Sequence, residues 1–149
     1  MKLPYATSTA GQGREKEIRD TLRGVGATAV GFMVDDDRDQ IIAQFRLHGR
    51  EITIPIPVGA YERAWLLENP RSPRSRSSEK EHRAKARQQA ERAAWAILAD
   101  WIKAQAAMLI AGFMDADTAF LSHVHLPDGR RVGDAISSAD GSPLALPKP

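Results

Sequence analysis

The chain has 149 residues, of which 42% are hydrophobic and 27% charged, and this size and composition predict one globular domain with its own core. It contains no cysteine, which excludes disulfides, thiolate nucleophiles and thiolate metal sites and suits a reducing compartment. The formal net charge is +2, but residues 71–92 carry eight Lys or Arg against three Glu, so the positive charge is concentrated in one segment.

The first third of the chain predicts a short helix followed by a three-stranded antiparallel meander. Ile18 and Leu22 stand at helical spacing within residues 14–23, and Gly24 follows as a stop signal. Apolar runs with β-branched residues then alternate with polar turns, which is typical of half-buried strands. The strands are expected at 27–34, 40–48 and 51–58.

The third predicted strand has the prolines typical of an edge strand. Pro55 and Pro57 cannot donate ladder hydrogen bonds, so we expect this strand to lie at the edge of the sheet or to leave it there. On the second strand, Gln44, Arg46 and His48 share the face opposite the apolar residues. That face is predicted to be open to water or to a partner.

A long helix is the clearest signal in the second half. Residues 59–70 predict one or two helical turns, and residues 69–78 predict a mobile basic linker. Ser78 and Glu81 then form a capping box, and strong helix formers continue to Ala111 without Gly or Pro.

The C-terminal third predicts a small unit and a tail. Asp115 caps a short helix expected at 116–124, and the Pro-Asp-Gly turn at 127–129 is expected to join two short extended pieces. Residues 137–149 are expected to be disordered or peripheral. The predicted fold is therefore α+β, a single domain over 1–136 in which the long helix packs on one face of the meander.

Several short motifs are distributed over residues 4–136. They are YATST at 5–9, GAT at 26–28 before Phe32, HGR at 48–50 before PIP at 55–57, the basic helix around Trp95, and Phe120-Leu121 before LPDGRRVG at 126–133. In these motifs the chain resembles a family of small uncharacterised proteins carried by bacteriophages and prophages. The resemblance implies a bacteriophage setting and brings no catalytic residue to this chain.

The predicted topology has two further likenesses at the level of the fold. A meander backed by a long helix is similar to the core of phage single-strand annealing proteins, which implies oligomers that hold DNA along a basic groove. The order α-β-β-β-α is also similar to a double-stranded-RNA-binding domain, although residues 59–77 make a longer insertion there. Annealing-type DNA binding is ranked first.

The basic segment supplies the candidate nucleic-acid contacts. Lys80, Arg83 and Arg87 recur at i, i+3 and i+7, so they share one helix face that can follow a phosphate backbone. A solvated helix start and a surface for a protein partner stay open as alternatives. The full set of candidate contacts is Arg71, Arg74, Arg76, Lys80, Arg83, Lys85, Arg87, Arg46 and Arg50.

Other side chains are weaker candidates for a functional site than the basic segment. The four aspartates at 35–39 are interpreted as a turn rather than a metal site, and His82, His123 and His125 as polar side chains at the surface rather than zinc ligands. Trp95 and Trp101 are assigned to the core or to an oligomer contact. No metal or cofactor is expected.

Two classes of function remain. The first is a phage protein of the host cytoplasm that binds or anneals DNA strands in recombination or replication, as a homo-oligomer and without catalysis. The second is a small interaction protein that inhibits or redirects a host defence complex. The N-terminus lacks an apolar signal core, and no membrane span is expected.

Overall fold

A computed structural model describes residues 2–9 and 13–138 of the chain. Within them, a short helix precedes a three-stranded sheet and further helices follow it, and the predicted α+β class is confirmed. In chain order the elements are α1 (Gly13–Gly24), β1 (Thr28–Asp35), β2 (Gln40–Leu47), β3 (Arg50–Pro57), α2 (Val58–Glu68), α3 (Glu79–Ile110), α4 (Ala116–Ala119), a 3-10 helix (Leu121–His123) and α5 (Val132–Ser137).

The three strands form an antiparallel sheet in the order β1-β2-β3. β3 is therefore an edge strand, as its two prolines predict. His48 and Gly49 join β2 to β3, and both have positive φ, as the tight two-residue hairpin requires. The register follows from this turn, because Leu47 lies opposite Arg50.

One face of the sheet forms the floor of the core. Along β2 the residues Ile41, Ala43, Phe45 and Leu47 are buried, whereas Gln44 and Arg46 between them are exposed. Helices α1 and α3 cover the buried face, so the predicted packing of the long helix on one sheet face is confirmed.

Helix α3 is much longer than the strands of the sheet. Its 32 residues span roughly 48 Å at 1.5 Å per residue, against roughly 27 Å for an eight-residue strand. Ala90 and Ala94 pack near Ile41 at the start of β2, and Leu98 and Ile102 pack deeper in the core. The turns of α3 before Ala90 therefore extend past the sheet, where they pack against α2.

Helix α2 is longer than the one or two turns that the sequence predicts. It runs over 11 residues and forms a helical hairpin with α3. Trp65 of α2 is buried against the ring of His82, with the ring centroids 5.4 Å apart, and His82 Nε2 lies 2.8 Å from the carbonyl oxygen of Asn69. These contacts fix the hairpin that carries the basic segment.

The N-terminal residues cross this hairpin on the outside. Leu3 N donates to Glu68, and the hydroxyl of Tyr61 donates to Pro4 O at 2.6 Å. Tyr5 OH donates to Asp100 at 2.6 Å, which raises the pKa of Tyr5. Residues 2–9 thus connect α2 to α3 before the chain enters α1.

The C-terminal unit differs from its prediction. Asp115 caps a helix as expected, its Oδ1 accepting from Thr118 N at 2.7 Å, but α4 ends at Ala119 and a 3-10 helix follows. The single helix predicted at 116–124 is therefore wrong. The turn at 127–129 joins two short extended pieces as predicted, since His125 and Arg131 on either side of it form an antiparallel bridge. Helix α5 was not predicted. The tail predicted at 137–149 lies, from residue 139 on, outside the described residues.

Candidate nucleic-acid interface

The loop between α2 and α3 presents three arginines. Ser75 N donates to Ser72 O at 2.9 Å, and Arg71 Nε donates to Ser77 O at 2.8 Å, so the loop turns back on itself through its own hydrogen bonds. Arg71, Arg74 and Arg76 are all exposed. The predicted mobility of residues 69–78 stays a prediction.

The first turns of α3 continue the basic surface. Ser78 Oγ accepts from Glu81 N at 3.1 Å and the Glu81 carboxylate accepts from Ser78 N, so the predicted capping box is confirmed. Lys80, Arg83 and Lys85 are exposed beyond it. Arg83 pairs with Glu79 at 3.1 Å, but both side chains are about two-thirds exposed, and such a pair contributes little stability.

Arg87 has a different environment from the cations before it. Its guanidinium contacts Asp39 of the β1–β2 turn, Glu62 of α2 and Glu91 of α3. Partial burial lowers the pKa of Arg87, but the hydrogen bonds to these carboxylates outweigh it, and the pKa lies above its ordinary value. Arg87 therefore ties three elements together and is not free for a phosphate.

Arg46 and Arg50 lie away from the hairpin. Arg46 is on the open face of the sheet and pairs with Glu51 at 2.7 Å. Arg50 is buried, and its Nε and Nη2 donate to Asp117 at 3.0 and 2.9 Å. The side chain of Arg50 therefore anchors α4 to the sheet edge, and its contact with nucleic acid stays a prediction that this burial and pairing do not favour.

The two tryptophans are packed within the fold. Trp101 meets the ring of Phe120 at 5.6 Å and the ring of His123 at the same distance. Trp95 meets Phe32 of β1 at 5.4 Å and is partly buried. Both side chains are partly buried and pack against the core, and the oligomer contact stays a prediction.

The cations of residues 71–92 are paired with carboxylates less often than the cations in the rest of the described chain. Outside residues 71–92, eight of the twelve described cations have a carboxylate within 4.0 Å. Within the segment, only Arg83 and Arg87 have one among the described residues. The six cations without such a partner are Arg71, Arg74, Arg76, Lys80, Lys85 and Arg92.

A groove lies beside the same segment. It has a volume of about 390 Å³ and is bounded by α3, the starts of α1 and α2, and the adjoining ends of β1 and β2. Gln88 and Arg92 line it, and sequence reasoning missed both as site residues. Their spacing from Lys85 and Trp95 places all four residues on one side of α3, which the sequence already shows. The sequence does not show which elements face that side, so it does not predict a groove there.

The histidines considered as zinc ligands are dispersed, whereas the four aspartates at 35–39 lie together at the β1–β2 turn. His82 belongs to the α2–α3 hairpin, whereas His123 packs on Trp101 and His125 contacts Thr53 at 2.7 Å. Among residues 2–9 and 13–138, no three His, Asp or Glu side chains gather closely enough to hold a metal ion.

Helix α3 also has a feature that the sequence analysis did not single out. By length and composition, an 18-residue window of this helix is apolar enough to cross a membrane, and 39% of that window is buried inside the protein. Core helices of soluble proteins meet the same criteria, so this is weak evidence for a membrane span.

Comparison with models of protein families, with curated proteins and with solved structures finds no match for this chain. The bacteriophage family and the annealing-type function therefore stay predictions. What is known of the site is its geometry and its charge.

Proposed function

We propose that the protein binds nucleic acid through the phosphate backbone, using the α2–α3 loop and the first turns of α3. The supporting observation is the contrast in ion pairing. Most described cations elsewhere have a carboxylate partner, whereas Arg71, Arg74, Arg76, Lys80 and Lys85 are exposed without one. A concentrated set of unpaired cations attracts a polyanion and releases its counterions on binding.

The expected affinity is dominated by electrostatics and independent of sequence. Five phosphate contacts give a slope of log K against log salt of about −4.5 on a duplex and about −3.5 on a single strand. Arg87 is left out of this count because its three carboxylate partners already use its guanidinium. Binding or annealing of DNA strands in recombination or replication is the specific form that we propose.

The test is a charge-matched pair of triple variants. Arg71, Arg74 and Arg76 are changed to Ala in the first, and Lys16, Arg23 and Arg130 in the second. Both variants lose three exposed cations, so they have the same net charge. Affinity for labelled single- and double-stranded oligonucleotides is measured by fluorescence anisotropy over a salt series, and a strand-annealing assay follows with complementary oligonucleotides.

The loop variant is expected to bind a single strand about 100-fold more weakly at 0.1 M salt, because each lost contact removes about 0.7 from the salt slope. The control triple is expected to keep most of the affinity of the unchanged protein. Equal losses of affinity in the two variants would show that binding depends on the net charge of the protein and not on the position of the loop cations. No binding at low salt by the unchanged protein would refute the proposal.

A protein partner is the second candidate, and the open face of the sheet favours it. Met33, Ile42 and Pro55 lie opposite one another in the register of the three strands and form an apolar row across this face. The side chain of Met33 is 57% exposed. A partner bound at this row would be lost in Met33→Glu and kept in the loop variant, which is the opposite of the pattern expected for nucleic acid.

A further inference from the structure

The groove beside α3 combines an apolar floor with a polar rim. Ile41 and Val58 are buried at its base, and the partly buried Trp95 and the exposed Val34 complete the apolar surface. At about 390 Å³ it falls at the lower end of the range typical of small-ligand sites, roughly 300–1,000 Å³. One planar ring system with its attached sugar is the scale of group that fits.

The groove continues the basic surface along one side of α3. Lys85, Gln88, Arg92 and Trp95 stand at i, i+3, i+7 and i+10, positions that share one side of a helix. From Lys85 to Trp95 the rise is about 15 Å. This stripe passes from an exposed cation to a partly buried indole, so a strand held at the helix start has a direct path into the groove.

Two polar side chains in the groove have hydrogen-bonding capacity to spare. The amide of Gln88 and the guanidinium of Arg92 have no side-chain partner among the described residues. The other charged groups at the rim are already paired, Glu91 with Arg87 and Glu15 with Arg19. Gln88 and Arg92 are therefore the groups that remain for a ligand.

We infer that this groove receives an unpaired nucleobase of a single strand whose phosphates lie on the basic surface. The inference rests on the proposed function and adds the class of nucleic acid. An amide and a guanidinium are the groups that hydrogen-bond the edges of bases, and an indole with aliphatic neighbours accepts the face of the ring. In a duplex the bases are stacked and paired, so the groove favours a single strand.

The experiment compares two single strands of equal length and charge, one with bases and one fully abasic. The variant is Gln88→Ala with Arg92→Lys, which keeps the net charge and removes the amide and the planar guanidinium. Its matched control is Gln44→Ala with Arg23→Lys, the same pair of changes at two exposed positions outside the groove. Anisotropy gives the affinities, and circular dichroism checks that each variant is folded.

The unchanged protein and the control are expected to bind the base-bearing strand at least about tenfold more tightly than the abasic strand. The groove variant is expected to lose this preference and to keep its affinity for the abasic strand. Equal binding of both strands by the unchanged protein would overturn the inference that the groove receives a base, but would leave the proposed phosphate binding standing. A preference that survives in the groove variant would also overturn it. No binding of either strand would overturn both proposals.

Discussion

Phe120 links the C-terminal unit to the core, and its removal gives the sharpest test of the fold. The side chain is 1% exposed and lies edge-on to Phe45 of β2, with ring centroids 5.4 Å apart, and edge-on to Trp101 of α3 at 5.6 Å. Phe120→Ala is expected to lower the free energy of unfolding by about 4 kcal/mol, because burial, packing and a cavity all contribute.

A loss of this size is large against a total stability of about 5–15 kcal/mol. In urea it corresponds to a midpoint lower by about 2 M, and on heating to a melting temperature lower by about 10 °C. Phe113 provides the matched control, since its side chain is 76% exposed and Phe113→Ala is expected to change stability by less than about 0.5 kcal/mol. Equal effects of the two substitutions would refute the placement of Phe120 between sheet and helix.

Three further predictions concern local features. Gly133→Ala is expected to lower the free energy of unfolding in urea by about 1–2 kcal/mol, because the new Cβ would lie 2.9 Å from a backbone carbonyl oxygen of the 3-10 helix. Gly24 has open space around it, so Gly24→Ala is expected to leave the free energy of unfolding unchanged. Equal losses in the two variants would contradict the close packing at Gly133. Ser78→Ala removes the cap of α3 and is expected to cost about 1 kcal/mol with a loss of helical circular dichroism on mild heating; an unchanged melting curve would contradict it. Burial lowers the pKa of His123, and Arg131 lowers it further, so the folded state binds this proton less readily than the unfolded state. Stability should therefore fall as pH drops below the usual value of 6.5, and His123→Gln should flatten that part of the pH profile, whereas an identical profile would exclude His123 as the cause.

Local signals in the sequence determined most of the elements. Alternation along β2 and β3 fixes which face is buried, because side chains on a strand point to opposite sides in turn. The capping box at Ser78 and the long run without Gly or Pro fix the start and extent of α3 within a residue. These predictions depend on neighbours in the chain, and such neighbours are known from the sequence.

Features that depend on residues distant in the chain were decided only by the tertiary structure. Arg50 and Arg87 look like any other cations in the sequence, but Asp117 and Asp39, which are 67 and 48 residues away from them, bind their guanidinium groups. The groove at Gln88 and Arg92 exists only because β1, β2 and the starts of α1 and α2 meet the same side of α3. Charge and periodicity locate a basic segment, whereas folding decides which of its cations remain unpaired, because a carboxylate partner can come from any part of the chain.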